Sequence, residues 1–197
     1  LSALIIVFFW PAFIQGETPL PLMNAYSQSD PVWSAYAPSD VARGSNRLLS
    51  DVSGFYYPYT VFSVAQLKAG DFPLWNPLIF GGVPYFAANQ AALLFPINLI
   101  AFTFGSVHYW LIAAMLRLLI AGWGMYLLLR RFGVGMAGAL LSSAIYMFAD
   151  FNVVWLHFAI HNVAALLPIA LWLIVRMAER PTRRDLIALV TIIAAQM

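Results

Sequence analysis

The sequence predicts an all-α polytopic membrane protein, and three observations carry that prediction. Of the 197 residues, 62% are hydrophobic and only 9% are charged, with a mean hydropathy of +0.81. A soluble domain of this length cannot hide that much apolar material. The apolar runs are long and continuous rather than alternating, which excludes a transmembrane β-barrel. The short loops between them concentrate arginine on one side, as the positive-inside rule requires of cytoplasmic loops.

Spans are expected at residues 1–14, 107–129, 134–152, 160–178 and 185–197. The first and last read as truncated helices, so the chain is expected to be an N-terminal piece of a longer protein. Leu1–Ile14 has the length of a signal-peptide core, but no small-residue cleavage site and soluble domain follow it. Arg130 and Arg131 lie between the second and third spans; Arg176, Arg180, Arg183 and Arg184 lie between the fourth and fifth. No Lys or Arg occurs at 15–30, 91–106 or 153–161. Both arginine clusters are therefore assigned to the cytoplasm and segment 15–106 to the outside. The domain reading is a first transmembrane helix at 1–14, an extracytoplasmic loop with interfacial helices at 15–106, and four further transmembrane helices at 107–197.

Segment 51–98 is nearly uncharged, aromatic and punctuated by Pro and Gly, unlike an ordinary solvated loop. Within it, Pro58 to Leu67 is expected to form a short helix, started by its proline and ended by Gly70, lying flat at the interface. Residues 91–104 form a 14-residue apolar run interrupted by Pro96, suited to an interfacial or re-entrant helix. Trp75, Asn76 and Pro77, then Gly81 to Pro84, are turn chemistry. Residues 17–50 read as an irregular polar loop. The pI near 9.1 reflects ten basic residues placed mostly by the membrane rule, so no nucleic-acid partner is indicated. Without cysteine there is no disulfide and no thiolate metal site.

Four groups of residues could carry chemistry. Asp51 stands at the entrance of the aromatic segment, beside Phe55, Tyr56, Tyr57 and Tyr59. A carboxylate near low-dielectric surface tends towards a raised pKa and suits a proton acceptor. It also reads as a solvated turn aspartate or an N-cap, the role expected of Asp30, Asp40 and Asp71. Arg117 lies near the middle of an apolar span, where a guanidinium pairs with an acid or lines a polar cavity. Its planar fork matches phosphate. Asp150, His157 and His161 gather at the outer ends of the third and fourth spans. The histidines are four apart, so on a helix they would share a face. There is no adjacent Glu and no third ligand beyond Asp150 to complete a zinc site, and no metal or other cofactor is assigned. Asp150 is left with two alternatives, assisting Asp51 or pairing with Arg117. Finally, Tyr56, Tyr57, Tyr59, Trp75 and Tyr85 could stack on sugar rings, although an interfacial belt also explains them. Gly122, Gly124, Gly133, Gly135 and Gly138 read as close-packing positions between helices.

The order of Asp51, Tyr56, Tyr57 and Pro58, then Lys68 to Gly70, Pro73 to Pro77, Phe80 to Pro84, Asn89, Gln90 and Phe95 to Asn98 resembles the bacterial YfhO family. Ala121 to Gly133 and His161 to Pro168, leading to Glu179 and Arg180, also resemble it. That family consists of large membrane proteins related to the GT-C glycosyltransferases. The resemblance implies a GT-C-like fold whose long first outer loop bears a carboxylate, in the bacterial cytoplasmic (inner) membrane. It further implies a polyprenyl-phosphate-linked sugar donor and an envelope glycan or lipid acceptor. Asp51 matches the acidic residue opening the family's loop motif. Phe55 departs from the pattern, which often has Gln there. The expected substrate contacts are Arg117, Tyr56, Tyr57, Trp75, Asn76, Asn89, Gln90, Asp150, His157 and His161.

The expected activity is sugar transfer at the outer face, with Asp51 as base and Arg117 or another cation at the departing phosphate. The alternatives are a lipid or polysaccharide transporter with Arg117 lining its pathway, or a noncatalytic envelope-assembly protein.

Overall fold

The computed structural model describes residues 1–27, 35–37 and 46–196. Asp30 and Asp40 lie outside the described residues. Among those described, the chain is mostly helical with one two-stranded sheet.

The segment expected as a first span, 1–14, is two short pieces, α1 (Ser2–Phe8) and α2 (Trp10–Ile14). Pro11 has no N–H for the Val7 carbonyl, and the chain turns at Phe9 with φ −97° and ψ 20°. The polar stretch carries only α3 (Asn24–Ser27) and a 3₁₀ turn at Arg47–Leu49. A π-helical turn, Val52–Tyr56, then feeds α4 (Tyr57–Ala69), with Pro58 in its first turn. Gly70 ends α4 at φ 83°, as its sequence position foretold. Strands β1 (Trp75–Asn76) and β2 (Val83–Pro84) pair antiparallel, with Trp75 opposite Pro84 and Asn76 opposite Val83. Next come α5 (Pro96–Phe102) and α6 (Gly105–Arg131). Pro96 does not interrupt a helix over 91–104; it sits at the first turn of α5, where its missing N–H costs nothing.

The expected third span, 134–152, is not continuous. It is α7 (Met136–Met147), a break at 148–149, and α8 (Asp150–Val154). The Asn152 side-chain amide donates to the Tyr146 carbonyl at 2.6 Å. In a continuing helix that carbonyl would accept from residue 150. Twelve residues rise only about 18 Å. Two helices close the chain, α9 (Ile160–Glu179) and α10 (Arg183–Ala195). Of all these, α6 and α9 are long and apolar enough to cross a membrane.

The helices are apolar on the outside. Along α9 the exposed residues Ile160, Val163, Leu167, Leu171 and Ile174 form one stripe at helical spacing, while His161, Asn162 and Ala165 are buried. On α10, Leu186, Ile187, Val190 and Ile193 are likewise exposed. Surfaces of this kind face lipid or a partner rather than water. The helices also approach one another closely. A Cβ on Gly122 would lie 2.8 Å from Met147 Sδ, and one on Gly124 2.7 Å from Ile169 Cγ1. Those two glycines are close-packing positions as expected. Gly133 and Gly135 are not, since a Cβ there would meet nothing within 4 Å. Gly138 would meet Val134 Cγ1, one turn away on its own chain, at 3.3 Å.

Helix α4 packs alongside α6. Tyr56 at its start shares a cavity wall with Arg117. At its other end, Lys68 Nζ lies 3.6 Å from where a Cβ on Gly105 would stand. The helix therefore runs beside the first twelve residues of α6. It buries Tyr59, Phe62 and Val64 against Tyr85, Phe102 and Trp110 in the larger of two apolar cores among the described residues. The Tyr85 hydroxyl donates to the Tyr59 carbonyl at 2.7 Å and shares a 2.6 Å hydrogen bond with Ser63 Oγ. Burial pushes this phenol's pKa up. Tyr85 is thus a buried strut, not a sugar-stacking ring. Tyr85→Phe should destabilise the fold by about 1–3 kcal/mol in denaturant unfolding, because a buried carbonyl loses its donor. The double variant with Ser63→Ala should lose less than the sum of the two single changes.

Candidate functional site

The cluster worth building begins with Arg117, which is 2% exposed. Its Nη1 donates to the Leu156 carbonyl at 2.9 Å, and its Nη2 donates to Asn98 Oδ1 at 2.8 Å. Asn98 in turn donates from Nδ2 to the carbonyls of Ala91 and Ala92, at 3.2 and 3.0 Å. One guanidinium thus joins α6, the turn before α9, α5 and the turn before α5. Asp150 does not pair with it. Asp150 is exposed in the first turn of α8, and the ion pairs among described residues are Arg131–Glu179 and Arg176–Asp185.

Arg117 is the thirteenth of the 27 residues of α6, midway along it, and fourteen residues, about 21 Å of helix, separate it from Arg131. It meets a helix, through Asn98 on α5, and a turn, through the Leu156 carbonyl.

Arg117 opens on a small cavity of about 10 Å³, room for one water molecule, with Tyr56, Gln90, Asn98, Trp110 and His157 in its wall. Three wall atoms are buried without a hydrogen-bond partner: Arg117 Nε, Trp110 Nε1 and His157 Nδ1. Two of these can only donate. The wall therefore offers positive charge and spare donors, with no carboxylate paired to the guanidinium.

His157 and His161 do not share a helical face. His157 is in the turn 155–157 and packs edge-on against Trp110 at 5.3 Å, whereas His161 is in the first turn of α9. Both rings nonetheless come near Arg117. Burial first, and then the Arg117 charge, pushes the His157 pKa down to about 3. Its imidazole is neutral when folded and titrates in the ordinary range when unfolded. The stability this contributes is complete above about pH 6.5 and is lost as pH falls towards 3. Across that window each pH unit should cost about a tenfold factor in the folding equilibrium. Thermal midpoints of the detergent-solubilised protein between pH 7 and pH 5 should show it, and His157→Gln should reduce the slope.

Asp51 lies at the start of the π-helical turn. Buried Val52 fixes the backbone beside it, and its exposed carboxylate caps no N–H. It does not line the Arg117 cavity but acts on Tyr56, which does. Burial, and secondarily the Asp51 charge, raise the Tyr56 phenol pKa. The Tyr56 hydroxyl meets Gln90 Oε1 at 3.5 Å. π-Helical turns often mark functional sites.

The remaining expected contacts are dispersed. Tyr57 is half-buried against the larger core. Asn76 is buried and accepts the Leu78 N–H at 2.9 Å, closing a turn. Trp75 is exposed and lies over Gly82, where a Cβ would come within 2.5 Å of its ring. Asn89 opens on a different cavity of about 420 Å³ beside Asn162. Phe55, standing where Gln was expected, stacks on Tyr59 at 4.2 Å and lines an apolar pocket of about 760 Å³. Sequence reasoning overlooked Asn98 and Trp110 as site residues. Asn98 had a signal, being the one amide inside the apolar run 91–104; Trp110 had none.

No protein-family model, no curated protein and no solved structure matches this chain.

Proposed function

We propose that this is a polytopic, GT-C-like membrane protein of the bacterial cytoplasmic membrane, similar to the YfhO family. On this reading it transfers a sugar from a polyprenyl-phosphate donor to an envelope acceptor at the outer face. The carrying observation is the buried Arg117, which has spare donors beside it and, among the described residues, no acid partner. An anionic group arriving from the outer leaflet would satisfy those donors. The long Tyr56–Gln90 contact is the part of the wall that gives way to admit it.

In the transfer, the acceptor hydroxyl attacks the anomeric carbon and its proton passes to the Asp51 carboxylate. The bond from the anomeric carbon to the phosphate oxygen breaks, and polyprenyl phosphate leaves with the electron pair, stabilised by Arg117. Exposed Asp51 is reachable by an acceptor from outside, while Tyr56, one π turn on, faces the phosphate cavity.

Loss of the protein from its host membrane tests this reading. Expected are an envelope glycan lacking one sugar and accumulation of the lipid-linked donor in the outer leaflet. Accumulation in the inner leaflet would replace transfer by transport, and an unchanged glycan would end both.

A further inference from the structure

We propose that the arginine-rich end of the helix bundle holds a binding site for the headgroup phosphate of an anionic phospholipid. This inference rests on the membrane reading of the bundle and is independent of sugar transfer.

The site is a cavity of about 560 Å³ where α6 and α9 end and α10 begins; Arg131, Arg176 and Arg180 line it together with Glu179 and Asp185, beside Trp172 and Thr182, so its wall carries a net charge of +1. Six arginines stand at this end, Arg130, Arg131, Arg176, Arg180, Arg183 and Arg184, against two acids, Glu179 and Asp185, for a net charge of +4. Neutralisation is selective. Arg131 pairs with Glu179, and Arg176 pairs with Asp185 at 3.1 Å while lying 4.5 Å over the Trp172 ring. Among the described residues, Arg180, Arg183 and Arg184 have no acidic partner. Only Arg180 of these three is in the cavity wall.

The cavity also meets the start of α10. There Thr182 Oγ1 accepts the Asp185 N–H at 3.1 Å, and the Thr182 carbonyl accepts the Leu186 N–H at 3.1 Å. The N–H groups of Arg183 and Arg184 precede these and have no acceptor within their helix. The start of a 13-residue helix, whose first turn carries Asp185, a guanidinium without an acidic partner among the described residues and an open cavity thus meet at one place.

The apolar surroundings select the source of the phosphate. Leu171 and Ile174 on α9, with Leu186 and Ile187 on α10, are exposed and stand within two residues in sequence of the wall residues Trp172, Arg176 and Asp185. They give two acyl chains a surface to follow, which a free phosphate would leave uncovered.

The test uses the intact protein in nanodiscs of phosphatidylglycerol and phosphatidylcholine in equal parts, with bound lipid counted by native mass spectrometry. The wild type should retain phosphatidylglycerol preferentially. Arg180→Gln should cut that preference about fivefold, the equivalent of about 1 kcal/mol per surface arginine. Arg180→Lys should keep most of it, and Lys68→Gln, at the other end, should keep all of it. Arg180 is exposed and makes no ion pair, so its variants should match the wild-type thermal midpoint in pure phosphatidylcholine. Equal retention of the two lipids by the wild type would overturn the proposal. Loss of phosphatidylglycerol to millimolar inorganic phosphate would also overturn it, assigning the site to a free anion.

Discussion

Arg117→Met is expected to destabilise the protein by about 2–5 kcal/mol in denaturant unfolding, even though it removes a buried charge. Methionine fills much of the same volume, so the cavity cost stays small. The change leaves the Leu156 carbonyl and Asn98 Oδ1 without their donors, at about 1–3 kcal/mol each. Desolvation of the guanidinium works the other way, but Arg117 sits beside turns and polar side chains rather than in bare hydrocarbon, which limits that relief. Adding Asn98→Leu should cost less than an independent change of the same kind, since Asn98 Oδ1 has by then no donor to lose. If Arg117→Met proves as stable as the wild type, the guanidinium adds nothing net to stability, and its role lies in ligand binding.

Asp51→Asn should behave in the opposite manner. The carboxylate is exposed and makes no capping bond, so stability should change by no more than about 0.5 kcal/mol. Sugar transfer should fall about 10²–10⁴-fold, the usual worth of a general base. Asp51→Glu, which keeps the charge but displaces it by one methylene, should fall between the two. The measurement is release of polyprenyl phosphate from a sugar-charged donor by vesicles matched for protein content. Full activity in Asp51→Asn would remove Asp51 from the chemistry and leave Arg117 as the remaining indicator of a phosphate site.

Local signals were easy to read in this chain. Pro58 and Gly70 bracket α4 within two residues of its observed ends, because capping chemistry acts on adjacent backbone. Helices α6 and α9 emerge from hydropathy alone. The break after Met147 was hidden, since the Asn152 amide that takes the Tyr146 carbonyl lies beyond the helix it ends. The same holds for the candidate site. That Arg117 needs polar company followed from its chemistry. That this company would be Asn98 and the Leu156 carbonyl, not Asp150, depends on how α5 folds back along α6. The helical spacing of His157 and His161 misled because a turn ends between them, and only His157 reaches the Arg117 cavity.

The Arg117 linkage has a consequence for biosynthesis. Its two partners lie 19 residues before it and 39 after it. At about 5–20 residues per second, about 2–8 s pass between synthesis of Arg117 and of Leu156. Throughout that interval segment 51–98 is already made, but the guanidinium that ties down its Asn98 lacks its second acceptor. Completion of this packed layer therefore waits on the turn that leads into α9, and a stalled or truncated chain ending before residue 156 should expose its aromatic segment to proteases and chaperones.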